Sequence, residues 1–211
     1  RQLAYLAALG MLAPTSHNTV PQRLAATDSG LRVLLDRARV LAASDVQGRQ
    51  ATISVGCVLE NIIAGAAELG VDTDVEVAGA PDVRPVPHDA PVLELAQLRF
   101  HRAASRESAA VAPTPDGSLI EAMLARKMVR ADFDERVSLP SALIETLQST
   151  VAAVHRGVAL HVITDAPTRL ALAKFQEMAD ATVLNRSAFA RELADWLIPN
   201  DSPSYLGMRG R

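Results

Sequence analysis

With Cys57 as its only cysteine, the 211-residue chain can build neither an internal disulfide framework nor a cysteine-based zinc cluster. That usage fits a reducing, cytoplasmic compartment. Aromatic residues make up only 3% of the sequence, leaving few side chains to wall in a planar substrate and keeping the substrate class open. There is no basic block either: 21 Lys and Arg against 24 Asp and Glu leave a net charge of -3, so a nucleic-acid partner is not expected. The most apolar runs, residues 3–14 and 53–69, are too short or too interrupted by Gly, Glu and Asn to span a bilayer, and no membrane partner is expected. His-Glu-x-x-His, Gly-x-Ser-x-Gly, a P-loop and a dinucleotide fingerprint are all missing. His88, His101 and His155 read as surface or packing residues, and no metal site is expected.

What is present is a core: 49% of the residues are hydrophobic, ample for one large domain or two small ones. Residues 2–13 predict a short helix, apolar on every face and buried on most sides, ended by Pro14. Residues 31–35 predict the first strand. Ser44 or Asp45 can cap a long helix to Leu69, with Ile53, Cys57, Ile62, Ala66 and Leu69 at helical spacing and Gly70 suited to a left-handed C-terminal cap. Residues 75–77 and 92–100 read as strands, and the Pro-rich run 79–91 as an irregular connection. A second break, rich in Ala, Pro and Gly, covers 109–118. Beyond it come helices at 119–126, from Pro140 to about 154, at 167–181 and at 187–197, with a strand at 158–163. This order of elements gives an α+β class, with no regular doubly wound sheet.

Three stretches carry chemistry. In Ala13-Pro14-Thr15-Ser16-His17-Asn18-Thr19-Val20-Pro21-Gln22-Arg23, hydroxyl, amide and imidazole groups crowd one loop, which serves either as a capped turn or as the cover of a polar ligand. Asp45-Val46-Gln47-Gly48-Arg49 leads into a helix whose Gly56, Ala64 and Gly65 would let another backbone approach closely. In it, Cys57 reads as a small buried hydrophobe rather than a nucleophile. Around Arg126 and Arg130, guanidinium groups suit phosphate or a ring carbonyl, or else form a solvated basic helix end.

In this order the stretches resemble the nitroreductase-like, FMN-dependent family, in its two-lobed Acg type. The first is similar to the family's Ala-Pro-Ser-x-x-Asn-x-Gln-Pro-Trp loop, with Val20 in place of Gln and Gln22 in place of Trp. The second is similar to its Asp-Pro-x-Gly-Arg-Glu entry into the central helix, and the third to its Arg-x-Thr-Asn-Arg-x-x-Phe element, with Met128 and Val129 for Thr-Asn. Phe189-Ala190-Arg191-Glu192-Leu193-Ala194-Asp195-Trp196 resembles an Arg-x-Glu-Leu-x-x-Trp segment further on.

The resemblance implies a nitroreductase-like α+β fold of two related lobes, the first over residues 1–110 and the second, incomplete, over 118–211. It implies FMN as cofactor, with Thr15, Ser16, His17 and Asn18 against ring and ribityl and Arg126 and Arg130 against phosphate or ring carbonyls. It implies NAD(P)H as hydride donor, a small-molecule acceptor such as a nitro compound or quinone, and a possible homodimer. No residue is expected as general acid or base. Two other roles stay open: a protein that sequesters FMN without turnover, and a degenerate lobe that binds none. Because Arg1 is not a natural start, the expectation is a piece cut from a longer protein.

Overall fold

The computed structural model describes residues 1–87, 90, 92–102, 118–128, 134, 137–154 and 157–209. The described chain falls into two compact units, residues 1–126 with 186–211 and residues 127–185.

In the first unit a four-stranded antiparallel sheet, ordered β1-β2-β4-β3, consists of β1 (Gln22–Ala26), β2 (Gly30–Leu35), β3 (Val71–Val77) and β4 (Leu93–Arg102). One face is covered by α2 (Arg49–Glu68), and α2 in turn packs against α1 (Gln2–Met11) and α3 (Leu119–Ala125). The core lies between these layers: Leu31, Val33 and Leu35 of β2 and Leu98 of β4 meet Val55, Val58 and Ile62 of α2 and Leu6 and Leu9 of α1. The opposite face of the sheet carries cross-strand ion pairs, Arg32 with Glu94 and Arg99 with Glu76, both exposed. Such exposed pairs contribute about 0–1 kcal/mol each, so the buried face holds the sheet.

Several expectations need correction. Helix α1 stops at Met11 and buries only one side, through Leu6, Leu9 and Gly10, while Tyr5 and Met11 are exposed. On α2 the buried stripe is Ala51, Val55, Val58, Ile62 and Ala66, and Ile53, named from sequence among the apolar residues at helical spacing, is 64% exposed. Neither Ser44 nor Asp45 is the N-cap, which is Gly48 in the left-handed conformation; Asp45 instead reaches the same end from outside, accepting from the amides of Gln50 and Ala51 at 3.1 and 2.9 Å. Gly70 has φ 73°, the left-handed C-terminal turn that its position predicts. By length and composition α2 could cross a membrane, but its apolar stripe is the core of this unit.

Strand β1 is absent from the sequence reading. Gln-Arg-Leu-Ala-Ala lacks alternation, and it is a strand because β2 offers an open edge that pairs Gln22 with Leu35 through Ala26 with Leu31. The partial alternation of 92–100 also has a cause: the register slips between Val33 and Leu34, so Leu95 and Ala96 of β4 are both buried in succession. Two short strands close the unit, β5 (Leu197–Ile198) and β6 (Met208–Arg209), paired in parallel after α6 (Ser187–Asp195).

The second unit contains α4 (Ser141–Val154) and α5 (Ala166–Leu184). Pro140 stands just before α4, and its carbonyl accepts the amide of Ile144 at 3.2 Å. Asp165 caps α5 by accepting from the amide of Thr168 at 2.9 Å, a bond that holds its carboxyl below the usual carboxylate range. Residues 158–163, expected as a strand, have no regular structure: a strand needs a neighbour, and no described residue of this unit is in one. Leu143, Leu147, Leu170, Phe175 and Met178 on these helices are exposed.

Candidate functional site

The loop between α1 and β1 is where the structure is most constrained. Thr15 is extended, and its Oγ1 accepts the amide of Val20 at 3.1 Å, closing a tight arch over residues 16–19. Inside the arch, His17, Asn18 and Val20 have φ of 50°, 53° and 47°. A left-handed β-branched valine is costly, on the order of 1–3 kcal/mol, and persists only when its surroundings dictate it. Here they do: Val20 is buried, its amide is tied to Thr15, and its carbonyl accepts from Arg39 at 3.3 Å.

Each expected residue of the loop is held from a different element. Ser16 Oγ donates to Gln50 Oε1 in the first turn of α2 at 2.6 Å. Asn18 Nδ2 donates to the carbonyls of Tyr205 and Gly207 at 2.7 and 3.1 Å, and its own carbonyl accepts the Gly207 amide at 3.1 Å. Arg126, at the end of α3, donates to the carbonyl of Leu12 at 2.7 Å, which brings a guanidinium to the foot of the loop. Arg130 lies outside the described residues. His17 differs from the others. Its Nδ1 is buried with no hydrogen-bond partner among the described residues, and burial pushes the imidazole below its ordinary pKa against a weaker opposite pull from the Glu192 carboxylate. Burial therefore favours the neutral form of the ring.

Sequence reading missed Glu192. From α6 its carboxylate accepts the amides of Ala43 and Ser44 at 2.8 and 3.0 Å and also the Ser44 hydroxyl, clamping α6 onto the segment that leads into α2. The only signal was its place in the Arg-x-Glu-Leu-x-x-Trp resemblance, since 148 residues separate it from Ser44. Replacing Glu192 with alanine is expected to lower unfolding stability by about 2 kcal/mol, because hydrogen bonds to a charged group are worth more than neutral ones. An unchanged midpoint in a urea titration would show that the clamp carries no stability.

Gln22, standing where the family loop has Trp, lies in the interior. It is 1% exposed, and neither polar atom of its amide has a partner among the described residues. Gln22→Met keeps the shape and removes the buried amide, so it is expected to raise stability by about 1 kcal/mol or more. A thermal melt with no upward shift would count against that reading. The small residues of α2 have separate roles: a Cβ on Gly65 would lie 2.5 Å from Leu9 of α1, whereas Gly56 faces open space among the described residues. Cys57 is partly buried against the core, as a small hydrophobe.

One small cavity adjoins the loop, and a larger cleft lies outside it. The first, lined by Ser16, Thr19, Asp45 and Ser54 among others, holds only about 10 Å³. The other is an open cleft of about 670 Å³ between residues 38–43 and α6. Among the described residues no group of His, Cys, Asp and Glu is placed to bind a metal ion.

No family model matches the chain. It is 32% identical over 190 residues to a protein of Mycobacterium tuberculosis named "Putative NAD(P)H nitroreductase acg", and it matches the protein of that name equally in strains CDC 1551 and H37Rv. The match covers 89% of this chain and 51% of the relative, so the chain spans about half the length of the curated relatives it matches. A match of that extent takes in the central helix and the arginine-bearing end of α3, and the chain is a nitroreductase-like relative of the Acg type.

Proposed function

We propose that this chain carries part of an FMN site and belongs to an NAD(P)H-dependent oxidoreductase. The observation that carries the reading is the arch of residues 15–20, in which a strained backbone holds an imidazole whose buried Nδ1 has no partner among the described residues. Strain of this kind collects at ligand sites, where a fixed geometry is worth its cost. The residues fit a flavin by their chemistry. His17 offers a ring nitrogen with no partner among the described residues, and Arg126 gives one of its guanidinium's five donors to the Leu12 carbonyl. Thr15, Ser16 and Asn18 are anchored by bonds to Val20, Gln50 and residues 205–207, which fixes the loop on which any ligand would rest. Arg130 is assigned with Arg126 to phosphate or a ring carbonyl.

Bound FMN would supply hydride transfer from reduced nicotinamide to a nitro compound, quinone or similar acceptor. The chain's residues would bind and orient it, and none is assigned as acid or base. The full reading also has two related lobes, with residues 1–110 in the first and 118–211 opening the second, a possible homodimer and a cytoplasmic setting. A second reading, sequestration of FMN without turnover, is favoured by one feature: Val20 stands where the family has a polar Gln. The visible spectrum under anaerobic addition of NADH or NADPH tests the choice. Bleaching of an oxidised-flavin band, reversed by a nitroaromatic or quinone, is the expected result. A bound flavin that stays oxidised would replace turnover with sequestration.

A further inference from the structure

The cleft beside α6 belongs to none of the roles assigned so far. Its volume, about 670 Å³, falls within the range of small-molecule sites. One wall is the segment 38–43, where Val40 and Leu41 are buried and the alanines keep the wall low. The other wall is one face of α6, with Ala188, Arg191, Glu192 and Asp195 at helical spacing, followed by Trp196. Trp196 is the single tryptophan of the chain.

The charges along this cleft are not equivalent. Glu192 is occupied by the amides of Ala43 and Ser44, and Arg39 by the Val20 carbonyl and Asp36. Arg191 has no hydrogen bond or ion pair among the described residues, although its guanidinium stands on the same helix face as the indole-bearing end of α6. Asp195, one turn further along, is likewise unpaired among the described residues, whereas Glu192, the other carboxylate lining the cleft, is bonded to the amides of Ala43 and Ser44.

We propose that this cleft is a binding site for a small aromatic carboxylate, of one or two rings, separate from the loop at residues 15–20. The ring would stack on Trp196 above the apolar wall at Val40 and Leu41, where face-on contact with an aromatic gives both affinity and orientation. The carboxylate would meet Arg191, whose planar fork matches two carboxylate oxygens at once. Asp195 opposes the ligand's charge and so limits affinity. The site does not depend on the flavin reading, because none of these residues is assigned to FMN.

The single indole N–H gives a direct readout. In a ¹H–¹⁵N spectrum of the 211-residue chain, titration with 4-nitrobenzoate is expected to move one indole resonance saturably, with nitrobenzene binding more weakly. Arg191→Gln should weaken 4-nitrobenzoate binding about fivefold or more and leave nitrobenzene unchanged, and Asp195→Asn should tighten 4-nitrobenzoate about two- to threefold. Both positions are exposed, so neither change threatens the fold. Three results would overturn the proposal. One is an indole resonance that does not move up to 10 mM probe, on the order of the weakest affinity worth calling a site. The second is equal binding by Arg191→Gln. The third is competition by FMN for the same shift, which would merge the cleft with the loop site.

Discussion

An alanine at position 62 is expected to lower unfolding stability by about 3–4 kcal/mol, because Ile62 is 0% exposed and sits where α1, α2 and the sheet converge. The same seam makes a sharper prediction. A Cβ added to Gly10 of α1 would lie 2.8 Å from Ile62 Cδ1 and 3.2 Å from Val58 Cγ1, so Gly10→Ala alone pushes the helices apart. Its expected cost is about 1–3 kcal/mol. In the double variant, the new methyl group enters the space that Ile62→Ala vacates. The combined loss is expected to be smaller than the sum of the single losses by about 1 kcal/mol or more, as neighbours in one cavity couple. Strict additivity in a denaturant double-mutant cycle would mean that the two residues do not share a cavity. The seam matters for the site, because α1 ends directly in the loop and the Leu12 carbonyl that Arg126 binds is its last turn.

Gly30→Ala is expected to be at least as damaging, with a loss of about 3 kcal/mol or more. The added Cβ would be 1.8 Å from the Leu98 carbonyl oxygen and 3.1 Å from the Arg99 Cα. Both are backbone, in the β4 strand that pairs directly with β2, so no rotamer change can relieve the overlap. The centre of the sheet must open instead. A variant that melts with wild-type cooperativity and midpoint would show that β2 and β4 approach less closely than described.

Much of this architecture is legible in the amino-acid sequence where one segment decides its own fate. Helix α2 announces itself through Ile62 and Ala66 at helical spacing and through Gly70, which supplies the left-handed turn at its end. What the spacing does not reveal is which flank of the apolar arc is covered. Ile53 stands about 180° around the helix from the stripe of Val55, Val58 and Ile62, and is exposed. Strand β1 fails the same test in reverse, since its pairing is imposed by β2 and leaves no alternation in Arg23, Leu24 and Ala25.

The site divides in a similar way. The chemistry of Thr15, Ser16, His17 and Asn18 can be read as a polar loop from their side chains alone, yet their partners cannot. Asn18 is tied to Gly207 across 189 positions, and that distance leaves no trace in local pattern. Left-handed Val20 is also invisible in sequence, since valine ordinarily avoids that conformation and adopts it here through contacts with Thr15 and Arg39. Gln22 reads as a polar loop residue and turns out to be sealed in the interior.

The central claim is that the loop at 15–20 and Arg126 bind FMN, and the most direct test is a titration of FMN into the metal-free, flavin-free chain, followed by flavin fluorescence and visible absorbance. The account predicts saturable binding at one site per chain or per dimer, weakened about tenfold or more in His17→Ala and Arg126→Gln, since each removes a polar contact that a bound ligand would use. FMN that leaves both spectra unchanged at concentrations well above those of the protein, while the chain remains folded by its thermal melt, would contradict it and leave a nitroreductase-like scaffold without its cofactor.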